Sequence, residues 1–324
     1  MISFVIPCFN EEGNVKLIYE EIHRVFDAES IPVELVMVND GSKDATQKRL
    51  YELFEEKRDK HLKIVRFSRN FGKEAAMLSG LKHTSGDFVC IIDADLQERP
   101  EVALQMYRIL ENDPEKDAVA AYQQNRKEGK VLSFFKKSFY RTVNKICEVD
   151  FYSGASDFRM LRRPVVDAIL SVPEYHRFSK GIFSFVGFET YFMPYEAAER
   201  ATGSSKWSFR SLFRYAIDGI VGYTTVPLRF STVLGMLISL AAFIYLIATF
   251  VKTLIIGIDV PGYATTVGIM LLLGGIQLLM LGIIGEYLAR AYIQGKNRPI
   301  YIEKEVLEGI EHGQTDVVET VESE

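Results

Sequence analysis

Four times in the first hundred residues, an apolar run breaks off into a short polar loop, and the first three of those loops lead into residues at helical spacing. Residues 3–6 lead into Pro7-Cys8-Phe9-Asn10-Glu11-Glu12-Gly13 and a helical pattern over 14–26. Residues 33–38 lead into Asn39-Asp40-Gly41-Ser42-Lys43-Asp44 and a helix over 45–56. Residues 62–67 lead into Ser68-Arg69-Asn70-Phe71-Gly72-Lys73 and a helix over 74–81, and residues 88–92 into Asp93-Ala94-Asp95-Leu96-Gln97. Such apolar runs read as buried strands, and strands alternating with helices imply an α/β fold with a largely parallel sheet and right-handed crossovers. All four loops then gather on one rim, the carboxyl edge where open α/β sheets bind ligands.

The chemistry concentrates in the fourth loop. Asp93, Asp95 and Gln97 can offer two carboxylates and an amide oxygen to one hard divalent cation, Mg²⁺ or Mn²⁺, whose natural cargo is a diphosphate. A lone pair of this kind is often only a polar turn, and the other three loops shift the weight toward a site. The same caution applies to Asn39-Asp40-Gly41-Ser42 as a capped turn, to Glu11 and Glu12 as first-turn acids, and to Lys73 as a solvated helix start. No G-x-G-x-x-G follows the first strand and no G-x-x-x-x-G-K-[ST] occurs, so neither a dinucleotide cofactor nor a Walker-type nucleotide is indicated.

Two uncharged runs, about 19 residues over 233–251 and about 22 over 263–284, each approach the ~20 residues needed to cross a bilayer. They predict a transmembrane hairpin whose outer ends face one side. Arg229 before it and Arg290, Lys296 and Arg298 after it place that side in the cytoplasm. The amino terminus opens directly on a strand with no signal peptide, so targeting rests on the hairpin. Three cysteines, Cys8, Cys90 and Cys147, lack metal-ligand spacing and fit a reducing compartment. The net charge of -5 is a tail property: residues 303–324 hold eight acids against Lys304 and read as solvated and mobile. Nothing in the charge pattern calls for nucleic acid. Gly274, Gly275 and Gly282 would let the spans pack against copies of themselves as a homo-oligomer. Leu132, Phe135, Phe139, Val143 and Ile146 share a helical face opposite Lys137, Arg141 and Lys145, which suits a helix in the bilayer interface or one packed on the sheet.

The stretches VIPCFNEE, VNDGSKDAT, FSRNFGKEAA, DADLQERPE and GASDFRML, in this order, resemble the inverting glycosyltransferases of family 2, which have the GT-A fold. The resemblance covers residues 1–210 and is closer to the enzymes that load polyprenyl phosphates, such as dolichyl-phosphate mannose synthase and bacterial undecaprenyl-phosphate glycosyltransferases. It implies a cytoplasmic catalytic domain over 1–210 and a juxtamembrane amphipathic segment over 211–230. Two spans (233–253 and 263–285) would follow within 231–292, then an acidic tail over 293–324, with the protein seated in the inner membrane. It also implies that Pro7, Asn10, Glu11, Asp40, Ser42 and Asp93 bind the nucleotide, and that Asp93, Asp95 and Gln97 bind the metal. Asp95 and Asp157 are the expected catalytic residues, Asp157 standing where the family's base is sought. Arg200-Ala201-Thr202-Gly203-Ser204-Ser205-Lys206-Trp207-Ser208 resembles the R-x-x-G-x-S-K-[WYF]-S stretch of those enzymes, so that Arg200, Ser204 and Lys206 would grip phosphate.

The implied reaction moves one sugar, from UDP-glucose or a related UDP-hexose, to undecaprenyl phosphate for cell-envelope glycans. A processive polysaccharide synthase is the nearest rival. It is disfavoured because only two spans occur and Trp207 follows Ser205-Lys206 rather than a Q-x-x-R pattern. A noncatalytic nucleotide-sugar scaffold is disfavoured by the intact D-x-D.

Overall fold

The computed structural model describes residues 1–123, 144, 145, 147, 152, 155–196, 221–256 and 262–309. The expected helix over 132–146 lies outside these apart from residues 144 and 145, and Arg200, Ser204 and Lys206 lie outside them altogether.

β1 (Ile2–Cys8), β2 (Val33–Asn39), β3 (Leu62–Phe67) and β4 (Phe88–Ile91) alternate with α1 (Val15–Asp27), α2 (Thr46–Lys57) and α3 (Lys73–Lys82). β1 and β2 are apolar nearly end to end because helices cover both sheet faces, so neither side chain of an alternating pair meets water. Val15, Ile18, Ile22, Val25 and Phe26 give α1 its buried stripe. α4 (Pro100–Asn112) starts on a proline, whose missing N–H costs nothing in a first turn. β5 (Ala118–Gln123), β6 (Ala155–Arg162), α5 (Arg163–Leu170), α6 (Ser179–Phe185) and β7 (Thr190–Tyr195) complete the domain before the hairpin.

The strand order is β7-β5-β6-β4-β1-β2-β3-β8. β1 through β4 run parallel, with Val5 opposite Val36 on one side and Ile91 on the other. β6 is antiparallel to both β4 and β5, so the sheet is mixed, as expected of a mostly parallel one. The chain leaves β1 toward β2 and later returns to β4 on the opposite side. That reversal opens a crevice at the carboxyl ends of β1 and β4. Gly80 lets α3 lie directly on the sheet, since a Cβ there would sit 2.2 Å from Val5 Cγ1.

α7 (Val226–Ile256) and α8 (Tyr263–Gly295) are the two helices long and apolar enough to cross a membrane among the described residues, each with a mean hydropathy of 2.2 over its candidate span. Both helices extend past the predicted spans. α7 begins inside the segment assigned to a juxtamembrane region, because the helix continues where the chain leaves the apolar zone. At its carboxyl end α8 meets the sheet domain: Gln294 Oε1 accepts from Tyr175 N–H and Gln294 Nε2 donates to the Pro173 carbonyl, both at 2.8 Å.

The expectation of a solvated tail fails for its first part. β8 (Glu303–Glu308) pairs antiparallel with β3 and closes that edge of the sheet. Its sequence EKEVLE carries too few apolar residues to read as a strand. Its stability comes from the ladder, from Val306 and Leu307 against the core, from the ion pair of Glu305 with Arg66 and from the hydrogen bond that the Tyr51 hydroxyl donates to Glu305.

Candidate active site

The first two rim loops are interlocked. Asn10, at φ 57 in a left-handed conformation that asparagine tolerates, donates its N–H to Ser42 Oγ (3.0 Å) and accepts Lys43 N–H at Oδ1 (2.9 Å). Glu11 N–H donates to Thr46 Oγ1, and the Glu11 carboxylate accepts from Asn14 Nδ2. Glu12 accepts Ala45 N–H, and Asn39 Oδ1 accepts Ser42 N–H. Asn10, Glu11 and Ser42 therefore stand together at one end of the sheet, where they act as its struts. Pro7 lies in β1 opposite Val38, behind these loops.

The second and third loops touch at Gly41. It adopts φ 63, and a Cβ there would fall 2.4 Å from the Arg69 carbonyl carbon. Asp40 next to it is only 3 % exposed; its carboxylate accepts Phe71 N–H at 2.6 Å and Gly72 N–H at 3.0 Å. Burial lifts its pKa above the ordinary carboxylate value, against the pull of those two amides and of Arg69. Expected as a nucleoside contact, Asp40 spends both oxygens bracing the loop that leads to Lys73.

Lys73, read from sequence as a solvated helix start, is instead the electrostatic centre of the crevice. Its ammonium lies 2.6 Å from Asp93 Oδ1, 2.9 Å from Asp93 Oδ2 and 3.2 Å from Asp157 Oδ2. Burial opposes its charge, but Asp93 and Asp157 outweigh that and hold the lysine well above its usual range. Burial likewise pushes the Asp157 carboxyl up, and Lys73, Lys180 and Arg159 more than reverse it, so Asp157 is held below the ordinary value. Among the described residues Asp157 Oδ1 is buried with no hydrogen-bond partner, leaving an acceptor for a bound group.

The D-x-D loop is shaped by its own polar atoms. Leu96 takes φ 60, Asp95 Oδ1 accepts Gln97 N–H at 3.1 Å, and the Glu98 carboxyl accepts Asp93 N–H at 2.9 Å. Burial first, and the Asp93 charge second, drive the Glu98 carboxyl well above its usual range. Glu74, one residue beyond Lys73, accepts from Ser179 N–H at 3.0 Å and from the Ser179 hydroxyl. Burial and the nearby Asp157 charge push it up to about 7.

Asp93 and Asp157 thus converge, and Asp95 and Gln97 share the loop of Asp93. Lys73, Glu74 and Glu98 are the residues missed in sequence; each lies within a stretch already noted, FSRNFGKEAA or DADLQERPE, but Lys73 and Glu74 find their partners on the loop after β4, on β6 and on α6, while Glu98 folds back on the Asp93 amide of its own loop. Among the described residues no three His, Cys, Asp or Glu side chains converge as a closed metal cage. The donor set still suits a divalent ion. Asp93 and Asp95 offer carboxylates on one loop with Asp157 nearby across Lys73, and an ion such as Mg²⁺ takes one or two carboxylates and completes its shell with water and phosphate oxygens.

Glycosyl transferase family 2 matches residues 3–170 and the GtrB C-terminal hairpin matches residues 226–291. The CsbB protein of Bacillus subtilis (strain 168) is 44 % identical over 305 residues, covering 94 % of this chain and 92 % of its own. The prophage bactoprenol glucosyl transferase homolog of Escherichia coli (strain K12) is 38 % identical over 306 residues, covering 94 % of this chain and 99 % of its own. The SfII prophage-derived bactoprenol glucosyl transferase of Shigella flexneri is 38 % identical over 304 residues, covering 94 % and 97 %.

Proposed function

This chain belongs to glycosyl transferase family 2 and is a glycosyltransferase, and we propose that it moves one hexose from a UDP-sugar, UDP-glucose in the first instance, to a polyprenyl phosphate at the cytoplasmic face of the inner membrane. The observation that carries the reading is the Lys73–Asp93–Asp157 cluster opening at the switch-point crevice of a domain whose other contacts, through Gln294, reach the foot of an apolar hairpin. Diphosphate chemistry and a lipid-embedded acceptor meet there. The names of the relatives, which include bactoprenol glucosyl transferases, support both the acceptor and the sugar.

In this reading Asp93, Asp95 and Gln97 hold Mg²⁺ or Mn²⁺, which would offset the charge building on the departing diphosphate. Lys73 supplies a fixed cation to the same phosphates. Asn10, Glu11 and Ser42 line the nucleoside end, with Pro7 and Asp40 behind them. Arg200, Ser204 and Lys206 would bind phosphate from a segment outside the described residues. Asp157 keeps its carboxylate ionised and orients reactants rather than removing a proton. An acceptor phosphate monoester, with a second pKa near 6, is already largely dianionic at neutral pH. A carboxyl held below its usual pKa is also a weak base.

The test is transfer by the purified full-length protein, presented with undecaprenyl phosphate and a panel of UDP- and GDP-sugars, with the lipid product identified by mass spectrometry. The expected product is a hexosyl phospholipid carrying a single sugar of inverted anomeric configuration. Transfer of many sugars in succession, or turnover without any polyprenyl phosphate, would overturn the reading.

A further inference from the structure

The chain that emerges from the second membrane helix runs straight to the donor side of the crevice. α8 ends at Gly295, and Tyr301, six residues on, stacks its ring on Phe67 with centroids 5.0 Å apart and planes 11° from parallel. Phe67 in turn meets Phe71 edge-on at 5.7 Å. The Phe71 and Gly72 amides are the two held by Asp40, and Lys73 follows immediately. The backbone repeats the connection, since Ser68 N–H donates to the Ile302 carbonyl at 3.0 Å. One residue later Glu303 accepts from Ser79 Oγ (2.9 Å) and lies 3.0 Å from His83 Nε2, tying down the helix that begins with Lys73.

Within the Ser68–Lys73 loop Phe71 packs against the apolar core and Arg69 lies over its ring, while the remaining residues are polar or glycine. The loop's order must come from what it touches. Asp40 fixes it from the sheet side. From the other side, the ring stack and the Ile302 carbonyl belong to the segment leaving the membrane.

We infer that Tyr301 and the strand it enters are positioning elements for the sugar-nucleotide site: they hold the Ser68–Lys73 loop, and with it the Lys73 ammonium, in the geometry that receives the donor diphosphate. The inference rests on the donor reading given above. It adds that the membrane-exit segment shares in building the site and is more than a tether. Fixing the end of α8 fixes Tyr301, and through two aromatic rings and one amide that order reaches Lys73.

The test uses the full-length protein in lipid nanodiscs, as unaltered chain, Tyr301→Ala, Tyr301→Phe and Tyr301→Leu. Amide hydrogen exchange is followed at Phe71 and Gly72, and UDP affinity is measured by calorimetry in the presence of Mn²⁺. In Tyr301→Ala the two amides should exchange faster while those of β1 stay protected. UDP should bind about threefold to tenfold more weakly, the size expected from losing one aromatic contact. The apparent KM for polyprenyl phosphate should not move. Tyr301→Phe, which keeps the stack, should restore both readouts. Tyr301→Leu serves where the alanine chain does not fold, with the same expectations at smaller size. Unchanged exchange at Phe71 and Gly72 would overturn the inference, as would faster exchange with unaltered UDP affinity. Failure of the unaltered protein to bind UDP would instead count against the donor reading, and the exchange result would stand apart from it.

Discussion

Lys73 Nζ lies within 2.6 Å of Asp93 Oδ1, so the first residue of α3 closes on the first residue of the D-x-D loop. The same ammonium reaches Asp157 on β6 at 3.2 Å, which offsets the repulsion between that carboxylate and the one on the loop after β4. Replacing Lys73 by methionine should weaken UDP-sugar binding and slow transfer by about tenfold to about 150-fold, the equivalent of about 1.5 to 3 kcal/mol for lost charge-assisted contacts, with partial solvent access pulling toward the lower end. Lys73→Arg should recover part of the loss. Steady-state kinetics with donor varied provides the check, and wild-type values for the methionine variant would refute the role.

Asp157 separates orientation from proton transfer. If it orients, Asp157→Asn keeps shape and hydrogen bonding and should retain a measurable part of the rate, while Asp157→Ala should lose more. General-base assistance is worth ~10² to 10⁴-fold. An asparagine defect at the top of that range, with normal donor affinity, would assign proton transfer to Asp157 after all.

Removing divalent metal with a chelator should stop transfer, and Mg²⁺ or Mn²⁺ added back should restore it. Asp95→Ala should nearly abolish activity at any metal concentration. Full activity in excess chelator would rule out a metal at Asp93, Asp95 and Gln97.

Strands β1 to β4 and their rim loops were legible because each is a mainly apolar run, interrupted by charge at Glu34, Lys63 and Arg66, that ends in polar residues, and that pattern survives without any knowledge of partners. The contacts that make the site were not. Lys73 and Glu74 look like an ordinary helix start until β4 and β6 deliver Asp93 and Asp157 to them. Glu98 looks like a surface acid, yet folds under Asp93 with 7 % of its surface exposed. β8 was hidden for a different reason: three of its six residues are glutamates, and it is a strand because β3 offers it an unpaired edge. Asp40 could be placed at the rim from sequence, but its use as a brace depends on Phe71 and Gly72 turning their amides toward it.

Glu74 gives the fold a pH dependence of defined sign. Its carboxyl is raised from an ordinary value of 4.5 to about 7, so between those values the folded chain keeps a proton that the unfolded chain has released. Stability contributed by this group therefore falls as pH rises through that window. Glu74→Gln should be nearly neutral at pH 5 and stabilising by about 1 to 3 kcal/mol at pH 8, with solvent access trimming the gain. Melting temperatures of both proteins in detergent across pH 5 to 8 measure it. A difference between them that stays constant with pH would exclude Glu74 as the source.

Because β8 follows the hairpin in the chain, a ribosome must deliver both apolar helices before the sheet acquires its last strand. During synthesis the β3 edge stands open, with unpaired amides and the ring of Phe67 uncovered, for as long as bilayer insertion takes. Completion of the sheet thus waits until both apolar helices have been made. A copy that misses the membrane would be left with a hairpin in water and, wherever that hairpin collapses or aggregates, an unsealed sheet for chaperones and proteases to find.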